Sequence, residues 1–149
     1  MTHIKNIINE KGWGNEFIYA NGATYCGKML RFIKGGKTSF HFHVHKEETL
    51  LAQSGDFVVH VINTMDASRS EIPLNQGKSL HLPPLQPHQI VALTGGTLLE
   101  VSSGQDIGDK YRVEEGSCQE QARCHVVTVE GDLGCAEFGP TPTLTPPPK

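Results

Sequence analysis

The sequence predicts an all-β protein, built as a closed barrel or jelly roll, from two observations. Short runs rich in β-branched and aromatic residues recur along the chain, and apolar residues do not recur at helical spacing over more than a turn or two. Clusters such as Gly35-Gly36, Ser54-Gly55 and Gly95-Gly96 separate these runs, as hairpin turns and corners do. Many short strands joined by regular turns are typical of a closed barrel or jelly roll.

Each predicted strand is one of these runs, bounded by turn residues. The predicted strands are Tyr25–Ile33, Thr38–His45, Thr49–Gln53, Phe57–Asn63, Ser79–Leu82, Gln89–Leu93, Thr97–Ser102 and Cys124–Val129.

The chain has 149 residues, which fits one domain with its own core. We divide it into an N-terminal segment (1–24), a barrel core (25–115), a C-terminal extension with a possible last strand (116–139) and a proline-rich tail (140–149). Proline removes backbone donors and favours extended conformation, so the tail is expected to lack a core.

Charge and hydropathy exclude several classes of partner. The net charge is -3, with no basic field that would gather nucleic acid. No apolar run of about 18 residues and no secretory leader is apparent, so neither a membrane nor secretion is expected, and the cytoplasm is the expected compartment. The four cysteines lack zinc-knuckle spacing and are interpreted as reduced thiols, with a disulfide among the last three left open: Cys26, Cys118, Cys124 and Cys135.

Three histidines that alternate along one predicted strand indicate a metal site. Residues two apart on a strand share a face, so His41, His43 and His45 are expected on one side, and Glu48 follows after a short turn. Imidazole nitrogen together with carboxylate oxygen suits Zn, Mn, Fe, Ni or Cu rather than Ca or Mg.

These residues resemble the first cupin motif, Gly-x5-His-x-His-x(3,4)-Glu-x6-Gly, which Gly35, His41, His43, Glu48 and Gly55 fit in register. The second motif is matched by Gly77, Pro83 and His88, with Leu85 at its second glycine position and Ala92 at its asparagine position. The resemblance implies a double-stranded β-helix barrel of the cupin or jelly-roll type. It also implies one divalent metal, with zinc favoured, held by the residues His41, His43, Glu48 and His88.

Two alternatives stay open for this site. The histidines form a hydrogen-bonded pair without metal, or the ligands are His43, His45 and Glu48. If His88 is a ligand, its other ring nitrogen needs an acceptor, for which Gln86 and Gln89 are the candidates.

A narrower resemblance connects the chain with type II mannose-6-phosphate isomerases. Ser39–Glu48 resembles their Ser-x-Gln-x-His-x-His-Arg-x-Glu segment, Gly12-Trp13-Gly14 their Pro-Trp-Gly, and Glu100–Gly104 their Glu-Val-Gln-x-Gly; Asp109–Val113 is a weaker echo of the acidic and Arg segment that follows. Thr49-Leu50 departs from the family's histidine and tryptophan pair. This resemblance implies aldose–ketose isomerisation or epimerisation of a small sugar or sugar phosphate.

The implied activity requires a catalytic base and, for a sugar phosphate, residues that bind the phosphate. The base is expected among His45, Glu47 and Glu100, with His45 preferred. Other functions that fit the same metal site are an Fe, Ni or Cu dioxygenase and a non-catalytic cupin that binds a metabolite. A phosphate group has four candidate partners, each of which is otherwise a solvated charge: Lys28, Arg31, Lys46 and Arg112.

The apolar face opposite the histidines, formed by Phe40, Phe42 and Val44, requires a cover. A homodimer is the preferred prediction, and an N-terminal strand folded back over this face is the alternative.

Overall fold

The computed structural model of the protein describes residues 3, 5–104, 108–117 and 126–127. Every element in the assigned order over these residues is a strand, which confirms the predicted all-β class. The strands are β1 (Ile7–Lys11), β2 (Gly14–Asn21), β3 (Cys26–Phe32), β4 (Phe40–Phe42), β5 (Glu48–Ser54), β6 (Phe57–Ile62), β7 (Arg69–Leu74), β8 (Ser79–Leu82), β9 (His88–Ala92), β10 (Gly96–Ser102), β11 (Tyr111–Glu114) and β12 (Val126–Val127).

The strands form two antiparallel sheets. One has seven strands in the order β12-β1-β2-β3-β10-β5-β8, and the other has five in the order β11-β4-β9-β6-β7. Neighbours in each sheet are mostly distant in the chain, so the chain crosses repeatedly between the sheets, as in a jelly-roll barrel. The link between β4 and β5 is one of these crossings.

The core lies between the two sheets. Leu50 and Leu98 from the seven-stranded sheet belong to one buried cluster with Phe57 and Val59 from the five-stranded sheet. Inward-facing apolar residues alternate with outward-facing ones along these strands, and their burial provides the main favourable free energy of folding. The polar site described below lies inside this barrel, beside the core.

Two strands that the sequence patterns did not predict, β1 and β2, lie within the N-terminal segment. They extend the seven-stranded sheet by pairing in series with β3. Asn9 faces Glu16 across this hairpin, and both are polar. The alternating apolar signal is therefore broken where the strands run, which explains why the sequence patterns missed them.

The strands β7 and β11 were missed for a related reason. Each lies at an edge of the five-stranded sheet and pairs on one side only. β11 is exposed along its length, and β7 contains Pro73, which edge strands tolerate. Strands that bury so little surface carry little hydrophobic pattern.

The strand predicted over Thr38–His45 is shorter in the structure, because β4 ends at Phe42. The carboxylate of Asp109 accepts hydrogen bonds from the backbone N–H groups of Val44, His45 and Lys46, at 2.7, 2.9 and 3.0 Å. These N–H groups therefore bond to a side chain instead of to a neighbouring strand, and residues 44–46 form a loop. The prediction that His45 shares a face with His41 and His43 is wrong, since His45 is exposed on this loop.

The apolar face of β4 is covered from within the chain. The rings of Phe42 and Tyr111 stack with centroids 5.3 Å apart, and the guanidinium of Arg69 lies 5.4 Å from the Phe40 ring centroid. The N-terminal strands belong to the other sheet, so the predicted N-terminal cover is wrong. The homodimer stays a prediction.

Some predictions fall on residues outside those described. Cys118, Cys124 and Cys135 and the proline-rich tail are among them, whereas Cys26 is a buried residue of β3. β12 lies within the predicted strand Cys124–Val129 and pairs with β1. Among the residues that the structure describes, none forms a helix with the length and hydropathy needed to cross a bilayer.

Candidate metal centre

Three of the predicted ligands come together at one buried point. His41 is on β4, His43 is in the loop that follows, and Glu48 begins β5. One potential ligand atom from each lies within 4.8 Å of the other two. These residues could therefore hold a metal ion between the two sheets.

His88 lies beside this group at the start of β9. It is the cross-strand partner of His41, and their ring centroids are 4.5 Å apart. The His88 and His43 ring centroids are 6.5 Å apart. His88 is buried, so its ring shares the interior of the barrel with the other two imidazoles.

Each of the three imidazoles is oriented by a backbone carbonyl at Nδ1. His41 Nδ1 donates to the oxygen of Ser39 at 2.7 Å, His43 Nδ1 donates to the oxygen of Asp109, and His88 Nδ1 contacts the oxygen of Gln86 at 3.0 Å. A donor at Nδ1 leaves Nε2 with a lone pair, which is how metal-binding histidines are commonly held.

The acceptor for His88 is thus the backbone of Gln86 rather than either glutamine side chain. Gln86 Nε2 donates to the oxygens of Ile62 and Pro87, and Gln89 Nε2 donates to the oxygen of Thr38.

The contact between His43 and Glu48 indicates that a cation fits between their side chains. His43 Nε2 lies 2.8 Å from Glu48 Oε1. Two lone-pair atoms so close repel unless a cation lies between them, and a proton or a metal ion can serve. Burial by itself would raise the pKa of Glu48, but the close contact with the His43 imidazole and the ammonium of Lys46 hold it well below its usual range.

Burial favours the neutral form of the His41 and His88 imidazoles. Burial lowers the pKa of His41 well below its usual value, and it also lowers the pKa of His88. Metal ligands must be deprotonated, so both rings are in the form that binds a metal. The set of imidazoles and one carboxylate suits a borderline divalent metal, and the residues present fit such an ion.

A row of alternating charges, which we call the ionic row, runs from this centre across the seven-stranded sheet. Lys46 Nζ lies 2.9 Å from Glu48 Oε1 and 2.7 Å from Glu100 Oε1. Lys28 Nζ lies 3.7 Å from Glu100 Oε1 and 3.2 Å from Glu16 Oε2. Both ammonium groups are thus buried and committed to carboxylates, which raise the pKa of each lysine against the opposing effect of burial.

The other predicted site residues lie in different surroundings. His45 and Glu47 are exposed, and the structure does not bring them to the ligand group. Arg31 is exposed, with its guanidinium 5.9 Å from the Phe17 ring centroid. Arg112 on β11 is the cross-strand partner of His41.

Asp109 was not predicted as a site residue. It is 4% exposed, its carboxylate holds the loop after β4, and its backbone oxygen orients His43. The only signal in the sequence was the faint family echo over Asp109–Val113, because a contact across 66 positions leaves no local pattern.

The motif glycines occupy turns that need them. Gly35, Gly55 and Gly77 have φ values of +79°, +82° and +81°, in the left-handed region that glycine adopts at little cost. Leu85, at the second motif's glycine position, has φ +63°, and its N–H donates to the oxygen of His43 at 2.6 Å. The turn therefore has a positive φ although leucine stands at the motif's glycine position.

No protein-family model matches the sequence, and no curated protein matches it. Solved structures match the fold. The capsular polysaccharide assembling protein CapF from Staphylococcus aureus is similar with a TM-score of 0.64 and 17% identity, over 74% of this chain and 33% of that chain. A single-residue variant of oxalate decarboxylase from B. subtilis is similar with a TM-score of 0.62 and 18% identity, over 76% of this chain and 34% of that chain.

An RmlC-like cupin from Shewanella frigidimarina NCIMB 400 is similar over most of its length. Its TM-score is 0.56 and its identity 24%, over 67% of this chain and 85% of that chain. The alignments to the first two span only about a third of those longer proteins. Together with the two-sheet topology, these similarities show that the chain has the cupin fold.

Proposed function

We propose that this protein is a metal-dependent enzyme that transfers a proton within a small sugar or sugar phosphate, either between adjacent carbons, as an aldose–ketose isomerase does, or off and back onto one carbon, as an epimerase does. The observation that carries the proposal is the buried group of His41, His43 and Glu48, whose histidine rings are already oriented for a metal. The fold similarity to CapF, a capsular polysaccharide assembling protein, and the narrower resemblance over Ser39–Glu48 both support a sugar substrate.

His41, His43 and Glu48 would hold the ion, with His88 as a fourth ligand. A bound divalent metal supplies a Lewis acid that polarises a substrate carbonyl. The metal's identity stays open, with zinc the first expectation.

The chain's own residues supply the proton transfer. Of the three predicted bases, Glu100 is buried and is linked to Glu48 through the ammonium of Lys46, whereas His45 and Glu47 face solvent. We therefore assign the base to Glu100, which takes the proton from one substrate carbon and returns it to the next. Lys46, at 2.7 Å, orients the Glu100 carboxylate.

Metal analysis of protein purified without chelator tests the site. We expect about one equivalent of zinc or manganese in the wild type, and a loss of most of it in His43→Ala and His88→Ala. The control His81→Ala changes an exposed histidine and should retain the metal. A wild type without metal would contradict the proposal and favour the non-catalytic, metabolite-binding cupin.

Activity is tested on the same preparations. Phosphorylated aldoses are incubated in D₂O, and NMR follows deuterium uptake at the carbon next to the carbonyl. We expect uptake with wild type and at least a hundredfold loss in Glu100→Gln. If the metal is iron or copper and oxygen is consumed instead, the dioxygenase alternative replaces this proposal.

A further inference from the structure

The edge strand β11 places two basic residues on the same side as the metal ligands. Arg112 is opposite His41 in the antiparallel pair, and directly opposite residues share a face. The intervening Tyr111 is opposite Phe42 and stacks on it outside the barrel. Lys110 immediately precedes β11, two residues before Arg112, and continued alternation of the chain places it on the inner side as well.

The electrostatic partners of Lys110 agree with that direction. Its ammonium interacts with Glu48, Glu16 and Lys28, whose side chains point inward from the opposite sheet. Lys110 is exposed, yet partial loss of hydration lowers its pKa to about 8. The negative charge of Glu48 acts in the opposite direction and raises this pKa. Lys110 is thus open to solvent and lies within electrostatic reach of Glu48.

Lys110 and Arg112 differ from the other inward-facing cations in their pairing. Lys28 and Lys46 each lie within 4.0 Å of two carboxylates. Among the described residues, no ion pair involves Lys110 or Arg112, and the two cations repel each other. Two neighbouring cations without a carboxylate partner create a region of positive potential that attracts an anion.

We propose that Lys110 and Arg112 bind an anionic oxygen group of the substrate, so that the site takes a sugar acid or a sugar phosphate rather than a neutral sugar. The inference rests on the proposed function and adds the substrate's charge to it. A guanidinium fork and a nearby ammonium suit the several acceptor oxygens of a carboxylate or phosphate.

Calorimetric titration with three matched probes tests the proposal. Glucose 6-phosphate, glucuronate and glucose share a ring and differ in their charged group. We expect at least one of the charged probes to bind wild type tenfold or more tightly than glucose does. Comparison of the two charged probes shows whether the anion is a phosphate or a carboxylate.

The Lys110→Met/Arg112→Met double variant should lose this preference for the charged probe, about tenfold or more in affinity, while Lys110→Arg should retain most of it. Lys78→Met is the matched control, because Lys78 is exposed in the turn that bonds to Ala52, away from Glu48 on β5. Equal affinities for charged and neutral probes in wild type would overturn the proposal, as would an unchanged preference in the double variant.

Metal content measured on each sample separates this proposal from the previous one. If every variant retains its metal but charge does not affect binding, the anion site fails and the metal site stands. If wild type contains no metal yet still binds the charged probe through Lys110 and Arg112, the metal-dependent function fails and the anion site stands.

Discussion

A single residue, Leu85, holds a backbone conformation that suits glycine. Its φ of +63° costs a non-glycine residue roughly 1–2 kcal/mol, which the greater flexibility of unfolded glycine offsets in part. We therefore expect Leu85→Gly to raise the free energy of unfolding by about 1 kcal/mol. Urea denaturation measures this. The control Leu93→Gly, at an exposed leucine without positive φ, should be destabilising, and equal losses in both variants would refute the strain.

The lowered pKa of Lys110 should also make its amine more reactive towards acylating reagents. With a pKa of about 8, a large share of its amine is neutral at pH 8, whereas an ordinary lysine, with a pKa near 10.4, is almost fully charged. We expect an amine-selective acylating reagent to modify Lys110 roughly tenfold faster than Lys34 or Lys78 at pH 8. Peptide mass spectrometry gives the rates. Modification of Lys110 at the rate of the exposed lysines would show that its ammonium is fully hydrated.

At the scale of the element, the loop between β4 and β5 depends on Asp109. The Asp109 carboxylate binds three successive N–H groups, and these hold its pKa below the usual value against the effect of burial. This contribution is therefore present at neutral pH and is lost as the pH falls below about 3.9. Asp109→Ala should weaken metal binding about tenfold, by freeing the loop that positions His43.

Metal titration in a competing chelator measures this effect. Asp66→Ala is the control, because Asp66 caps an exposed turn through the N–H of Ser68. If Asp109→Ala binds the metal as tightly as Asp66→Ala does, the loop keeps its form without the carboxylate.

The ionic row connects strands rather than single residues. Removing one partner of a buried ion pair leaves an uncompensated charge, which costs about 3–5 kcal/mol. We expect Lys46→Met to lower the free energy of unfolding by about 3 kcal/mol, since Glu48 and Glu100 both lose the same ammonium. Chemical denaturation of metal-free protein isolates the effect. The exposed Lys78→Met should change stability by less than about 0.5 kcal/mol, and a similarly small change in Lys46→Met would contradict the prediction.

For the whole molecule, the candidate metal centre connects the two sheets. His41 and His88 belong to the five-stranded sheet and Glu48 to the seven-stranded sheet. A ligand that binds only the folded state stabilises it by about 2.7 kcal/mol at a hundred times its Kd. Metal at that ratio should raise the free energy of unfolding by this amount, and chelator should reverse the change. His43→Ala should abolish the response, and an equal response in that variant would place the metal elsewhere.

The sequence by itself determined the all-β class, the turns and the clustering of three candidate ligands. These features are local. Turn glycines such as Gly35 and Gly55 mark positions where φ is positive, and the spacing of His41, His43 and Glu48 is short enough for one strand and one loop to bring them together. The fold prediction is confirmed by the two-sheet topology and by the similar solved structures.

Only the tertiary structure decided the directions of side chains that depend on distant parts of the chain. His45 turns outward because Asp109, 64 residues away, binds its backbone N–H. Arg112 lies opposite His41 because of the register between β11 and β4, and Lys46 turns inward to Glu100, 54 residues away. Pairing across such separations depends on burial and strand register over the whole barrel, and neither leaves a pattern in neighbouring residues.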